Sequence, residues 1–284
     1  MYSPHNEKKP TNYTKILQTL KELNRVDLSK ADIPFLKRQI SLILDEYTHT
    51  SIIILPSHDG KFHRAIKYQN RPSTIKELSY PPKKFTKLGR ANFANKPKFY
   101  CSGDPAATFF ELNAQPGDTV VLSKWIRKDE ISIFPIGYSS ETFKRLNSNR
   151  SCPSIVPSIK KHPNEFKNTN RKINIFLDEK FTEVISPGNE CQYIITAVIA
   201  EEFLMMQPCS GIVYPTIAME ANAENFALTP ELVDQYLQLE SVRWYRVDEA
   251  KNFSYTLTLL ACSNSFTDEM IEWKIPSEEE RKYL

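Results

Sequence analysis

Residues 88–118 read LGRANFANKPKFYCSGDPAATFFELNAQPGD, and this stretch decides how the rest of the chain is read. Asp104-Pro105 is a helix start, with Asp as N-cap and Pro at the first helical position. The apolar Ala106, Phe109, Phe110 and Leu112 that follow predict a short buried helix. Glu111 then falls in the second helical turn among aromatics, where burying a carboxylate is costly unless a partner or a purpose offsets it. Arg90 lies ten residues before Tyr100, and Tyr100 eleven before Glu111, so a cation, a ring and an anion are spaced around one strand–turn–helix unit.

Outward from this unit, periodicity predicts an α+β chain, with an antiparallel-leaning sheet and helices beside it. Thr11–Leu23 and Ala31–Tyr47 have helical apolar spacing and form an expected helical N-terminal extension over residues 1–59. Ser51–Leu55 is an apolar run that suits a short strand or the end of the preceding helix. Phe62–Tyr68 alternates as a half-buried strand does, and 71–86 is a proline-rich loop. Thr119–Trp125 and Ile131–Tyr138 read as strands, and Ser140–Leu146 as a short helix. Residues 147–170 form a polar expected loop, followed by helices over Lys172–Ile185 and Gln192–Met206, the latter with Met205 and Met206 as core. Gly211–Thr216 and Phe226–Leu228 are short buried strands, and Thr229-Pro230 opens a helix to about Leu239. Ser241–Val247 and Phe253–Cys262 close the sheet, and a charged tail, residues 263–284, is expected to be loosely attached.

Composition excludes several functions. With only seven glycines, none clustered, neither a dinucleotide fingerprint nor a P-loop can be written, so phosphates would have to be held by side chains. A formal charge of +3 makes no electrostatic case for nucleic acid or a membrane surface. The longest apolar run, Ile194–Met206, is cut by Glu201 and Glu202 and falls short of the roughly 18–20 residues a membrane span needs. The N-terminus has no apolar signal core, so the cytoplasm is the expected compartment. Five scattered cysteines with no CxxC pair suggest neither a zinc site nor a disulfide framework, and His58 with His63 is a weak metal pair. No metal is expected.

The run GRANFANKPKFYCSGDPAATFFE resembles the signature of RES-domain proteins, through Gly89, Arg90, Asn92, Pro97, Tyr100, Asp104, Pro105 and Glu111. A second block, GIVYPTIAMEANAENFAL, is similar to another segment of that family, through Gly211, Ile212, Tyr214, Pro215, Asn225, Ala227 and Leu228. Phe62–Ile66 looks like the family's first strand, so the resemblance spans residues 60–262. One position departs: Thr216 stands where the family has Ser, which keeps a hydroxyl but restricts its rotation. The resemblance implies an ADP-ribosyltransferase-like fold and a bacterial toxin of a toxin–antitoxin pair that degrades NAD⁺. NAD⁺ would then be a substrate cleaved by water or inorganic phosphate, no cofactor would be required, and a protein antitoxin would be the partner. The oligomeric state stays open, a homodimer included.

Chemistry assigns the roles. Cleaving the nicotinamide–ribose bond leaves cationic character on the ribose, which the Glu111 carboxylate would stabilise. Arg90 offers a planar fork to pyrophosphate, and Tyr100 a ring on which nicotinamide can stack. Arg64, Asn92, Thr216 and Asn225 complete the expected substrate-binding set. The plainer readings are an Arg90–Glu111 ion pair, Tyr100 as core, and Thr216 and Asn225 as turn formers. Two rival functions share these residues: ADP-ribosyl transfer to a macromolecule, and a non-catalytic protein-interaction module.

Overall fold

The structure, a computed structural model, describes residues 13–47, 53–55, 60–151, 164–205, 209–251 and 254–278. Nine strands form one mixed sheet: β1 (Ile53–Leu55), β2 (Lys61–Lys67), β3 (Phe99–Ser102), β4 (Thr119–Arg127), β5 (Ile131–Pro135), β6 (Gly211–Pro215), β7 (Glu224–Leu228), β8 (Leu237–Lys251) and β9 (Ser254–Ser263). Their order is β1-β5-β6-β7-β3-β2-β4-β8-β9. Every junction is antiparallel except β5–β6, where Phe134 and Pro135 face Ile212 and Val213 in parallel. A parallel pair needs a long crossover, and here the described part of the connection carries three α-helices. They are α5 (Ser140–Arg145), α6 (Asn164–Phe181) and α7 (Tyr193–Met205). The expected α+β class with an antiparallel-leaning sheet is what the chain forms.

Alternation along the strands sends side chains to two cores. Phe134, Ile212, Tyr214 and Ala227 join one cluster with α6, α7 and the two N-terminal helices, α1 (Tyr13–Leu23) and α2 (Ile33–Asp45). Ile133, Val213, Phe226 and Leu228 point the other way, into a cluster with Phe62, Trp125 and Leu232. All five residues of β6 are buried, as a strand covered on both faces must be. Within the first cluster Ile16, Leu36, Ile40 and Ile43 have no exposed surface, so α1 and α2 are part of the same packed layer as α6 and α7.

Several expectations change: the helix opened at Pro230 ends at Tyr236, where β8 takes over, and β5 ends at Pro135 and not at Tyr138. α6 begins at Asn164, inside the segment read as a polar loop, and stops at Phe181, short of Ile185. Thr169 and Asn170 are buried, so packing holds a turn whose polar composition hides it. Met205 is 72% exposed and is not core; Met206 lies outside the described residues, as do Ser51, Ile52 and residues 152–163. The tail is not loose over residues 263–278. Its two short strands, β10 (Phe266–Thr267) and β11 (Met270–Ile271), pair with each other. The Ile271 amide donates to the Ser73 carbonyl (2.8 Å), and Trp273 Nε1 to that of Pro72 (2.7 Å). That proline-rich loop also holds a single helical turn, α3 (Ile75–Leu78), where Glu77 Oε1 accepts the Thr74 amide at 2.9 Å. No described helix is long and apolar enough to cross a membrane.

Candidate active site

The site grows from the middle of the sheet. Tyr214 on β6 faces Asn225 on β7, and Asn225 faces Ser102 on β3. Directly opposed residues share a sheet face, so these three side chains form one row. The helix α4 (Pro105–Glu111) leaves β3 and crosses that face, started as expected by Asp104, whose side chain accepts the Ala106 amide at 2.7 Å. Asn113 adopts the left-handed conformation (φ 45°) just after the helix, which ends α4 with Glu111 as its last residue.

Glu111 is not buried among the aromatics as its spacing suggested. α4 buries Ala107, Thr108 and Phe109, and the Glu111 side chain is exposed, opening to a cavity of about 660 Å³. Thr216 Oγ1 and Asn225 Nδ2 (2.7 Å) both donate to Glu111 Oε1, while Oε2 accepts no hydrogen bond among the described residues. Thr216 has no exposed surface and Asn225 little, so two fixed neutral donors orient one carboxylate oxygen. Residues more than a hundred positions apart thus meet. Thr216 and Asn225 do not serve as turn formers with their side chains.

The hairpin that carries them is held from behind by a residue the sequence reading missed. The Thr216 amide donates to the Ala223 carbonyl (2.9 Å), and Glu220 and Ala221 take positive φ (51° and 59°), a strained turn for side-chain-bearing residues. Arg150 clamps it: Nε donates to the Ala221 carbonyl (2.9 Å), and Nη2 lies 2.6 Å from Glu224 Oε1.

Arg90 lines the cavity but forms no ion pair with Glu111. Its Nη1 donates to the carbonyls of Phe181 (2.9 Å) and Lys180 (3.3 Å), and Nη2 to that of Glu183 (2.9 Å). A guanidinium therefore caps α6, satisfying carbonyls that a helix end leaves open. The same group lies over the Tyr193 ring, 5.2 Å from its centroid. This explains why α6 stops short of Ile185.

Tyr100 is half-buried, and its ring lines the cavity while its hydroxyl is engaged elsewhere. The hydroxyl donates to Asn92 Oδ1 (2.7 Å) and accepts the Ala91 amide (2.9 Å), and burial pushes its pKa up. Asn92, expected to bind substrate, does not line the cavity. Its Nδ2 donates to the carbonyls of Lys87 and Phe93 (2.8 Å each), so it pins its own loop to Tyr100. Gly89 permits this: a Cβ there would sit 2.8 Å from Asn92 Oδ1 and 3.0 Å from the Tyr100 hydroxyl.

Arg64 is the less committed cation. Nη1 donates to the Tyr100 carbonyl (2.7 Å), the guanidinium stacks 5.4 Å from the Phe99 ring centroid, and the buried Nε has no hydrogen-bond partner. No carboxylate among the described residues pairs with it, and burial pulls its pKa down. A desolvated cation facing a cavity without an anion is a site for one.

Tyr214 and Tyr193 also line the cavity and were not among the predicted site residues. Burial holds the Tyr214 phenol well above its ordinary pKa, with Tyr100 and Glu111 adding to the shift. Strand alternation was the available signal, because period two puts Tyr214 and Thr216 on one side of the same strand. Among the described residues no group of three His, Cys, Asp or Glu side chains is placed to hold a metal; His58 and Cys152 lie outside them. No protein-family model matches the chain, and no curated protein matches it.

Proposed function

We propose that the chain is an NAD⁺-consuming enzyme that cleaves the nicotinamide–ribose bond, as its resemblance to RES-domain proteins implies. The observation that carries this reading is Glu111: one carboxylate in an arginine- and tyrosine-lined cavity, oriented by Thr216 and Asn225 through a single oxygen. In the proposed reaction the C1′–N bond breaks, its electron pair leaves with neutral nicotinamide, and the ribose C1′ becomes an oxocarbenium. The Glu111 carboxylate stabilises that cation, and C1′ then accepts an electron pair from water or phosphate, the water losing its proton. Tyr100 and Tyr214, on the strands beside Glu111, supply rings for the cationic nicotinamide before cleavage.

Roles shift between the two arginines. Arg90 spends three hydrogen bonds on carbonyls, so it serves as scaffold for the cavity wall, and Arg64, with its unpartnered Nε, is the group for the pyrophosphate. The proposal extends to an ADP-ribosyltransferase-like fold and a cytoplasmic toxin whose unchecked activity depletes NAD⁺. A protein antitoxin that occludes the cavity is the matching partner.

The test is incubation of the purified chain with NAD⁺, with and without inorganic phosphate, following nicotinamide release. Release without phosphate identifies a glycohydrolase, and release that requires phosphate a phosphorylase. Folded protein that releases nothing in either condition overturns the reading.

A further inference from the structure

Val184 is 74% exposed although it lines the same cavity as the buried Asn225. An isolated apolar side chain in water needs no explanation, but this one stands on a backbone that is deliberately held. Arg90 fixes the Glu183 carbonyl immediately before it, and also fixes the end of α6 from which the segment leaves. Ile185 follows Val184 in the cavity wall, and Tyr193 adds a ring. Arg90 covers one face of that ring, so the guanidinium braces both the segment and the aromatic. The result is an apolar, aromatic rim on one side of a cavity whose other end is polar.

The two ends differ in what they can bind. The Glu111 end, with the buried Thr216 and Asn225 behind it, is the hydrogen-bonding end where a developing cation is best stabilised. A dinucleotide with its scissile bond there extends its distal base along the rest of the cavity, whose wall includes Val184, Ile185 and Tyr193. An exposed valine beside a braced tyrosine suits a flat, largely apolar base and offers nothing to a phosphate. We propose that Val184, Ile185 and Tyr193 form the adenine subsite, so that the rim selects a dinucleotide over a mononucleotide with the same scissile bond. This inference rests on the proposed cleavage of NAD⁺.

The experiment compares NAD⁺ with nicotinamide mononucleotide, which has the same scissile bond and no adenosine, in wild type, Val184→Asn and Val184→Ile. Val184 is so exposed that either substitution leaves the fold intact. The expected result is that Val184→Asn lowers the ratio of kcat/KM for NAD⁺ to that for the mononucleotide about fivefold to tenfold, through KM, and Val184→Ile restores it. An unchanged ratio overturns the subsite. A second arm measures ADP-ribose binding by calorimetry and needs no turnover, so it decides the subsite even if no nicotinamide is released. Weaker ADP-ribose binding by Val184→Asn supports the rim as adenine site. Equal binding by both proteins, or none by wild type, overturns it.

Discussion

Both hydrogen bonds on Glu111 Oε1 come from neutral donors, the Thr216 hydroxyl and the Asn225 amide. Neutral donors orient a carboxylate without cancelling its charge, as an Arg90 ion pair would have done. The charge is therefore available to a cationic transition state. Glu111→Gln keeps the shape and removes the charge, so nicotinamide release should fall about a hundredfold or more while the melting temperature stays close to wild type. Thr216→Val should lower kcat about tenfold by deleting one donor, and Thr216→Ser should stay near wild type. Initial rates with parallel circular-dichroism melts decide it, and a Thr216→Val enzyme as fast as wild type would remove the hydroxyl from the mechanism. Glu111 stood out in the sequence as a carboxylate among aromatics, and Thr216 and Asn225 through the second motif block, but that all three bond through one oxygen is shown only by the fold. Arg90 and Asn92 were assigned to substrate because their true partners are backbone carbonyls of Lys180, Phe181, Glu183, Lys87 and Phe93, which carry no residue-specific mark.

Among the elements, α4 was legible at its start through Asp104-Pro105, whereas α6 was misplaced at both ends. Its limits depend on tertiary partners: Arg90 at the C-terminus and a buried carboxylate at Asp178. Asp178 Oδ1 accepts the Gly137 amide (2.9 Å) and Oδ2 the Thr142 hydroxyl (3.2 Å), tying α6 to the turn before α5. Burial pushes its pKa up to about 6 from 3.8, against the pull of Ser139, Thr142, the Gly137 amide and Arg145. A raised folded-state pKa means that the native protein binds the proton more tightly than the unfolded chain. The stabilisation is complete below pH 3.8 and is lost as pH rises through about 6. Asp178→Asn keeps the acceptor for Gly137 and cannot ionise. Relative to this variant, the wild type should lose about 2–3 kcal/mol of stability between pH 4 and pH 7. Urea titrations of both proteins across that range measure the difference, and parallel pH profiles would show that Asp178 titrates alike in the folded and unfolded chain.

At the scale of the whole molecule, the sequence shows α1 and α2 as amphipathic helices but not what covers their apolar faces. Periodicity reports that a face is apolar, and only the fold supplies its counterpart. Here the counterpart is α6, α7 and one face of the sheet, including Phe134, Ile212 and Tyr214, the last of which is also a cavity residue. The N-terminal helices thereby share one buried cluster with a residue of the cavity wall. Ile40 has no exposed surface in this layer, so Ile40→Ala should cost about 2–4 kcal/mol through lost burial and the cavity left behind. The probe that makes this informative is tryptophan fluorescence. Trp125, Trp244 and Trp273 all pack with the other core, on the far side of the sheet from α2. If α1 and α2 unfold together with the sheet, Ile40→Ala shifts the fluorescence transition and the far-ultraviolet circular-dichroism transition to the same lower urea midpoint. An extension that folds by itself would instead give a shifted helical transition with the tryptophan transition unmoved. Shared burial of Ile40, Phe203 and Phe134 in one cluster favours the coincident outcome, because α2 packs on α7 and α7 on the sheet.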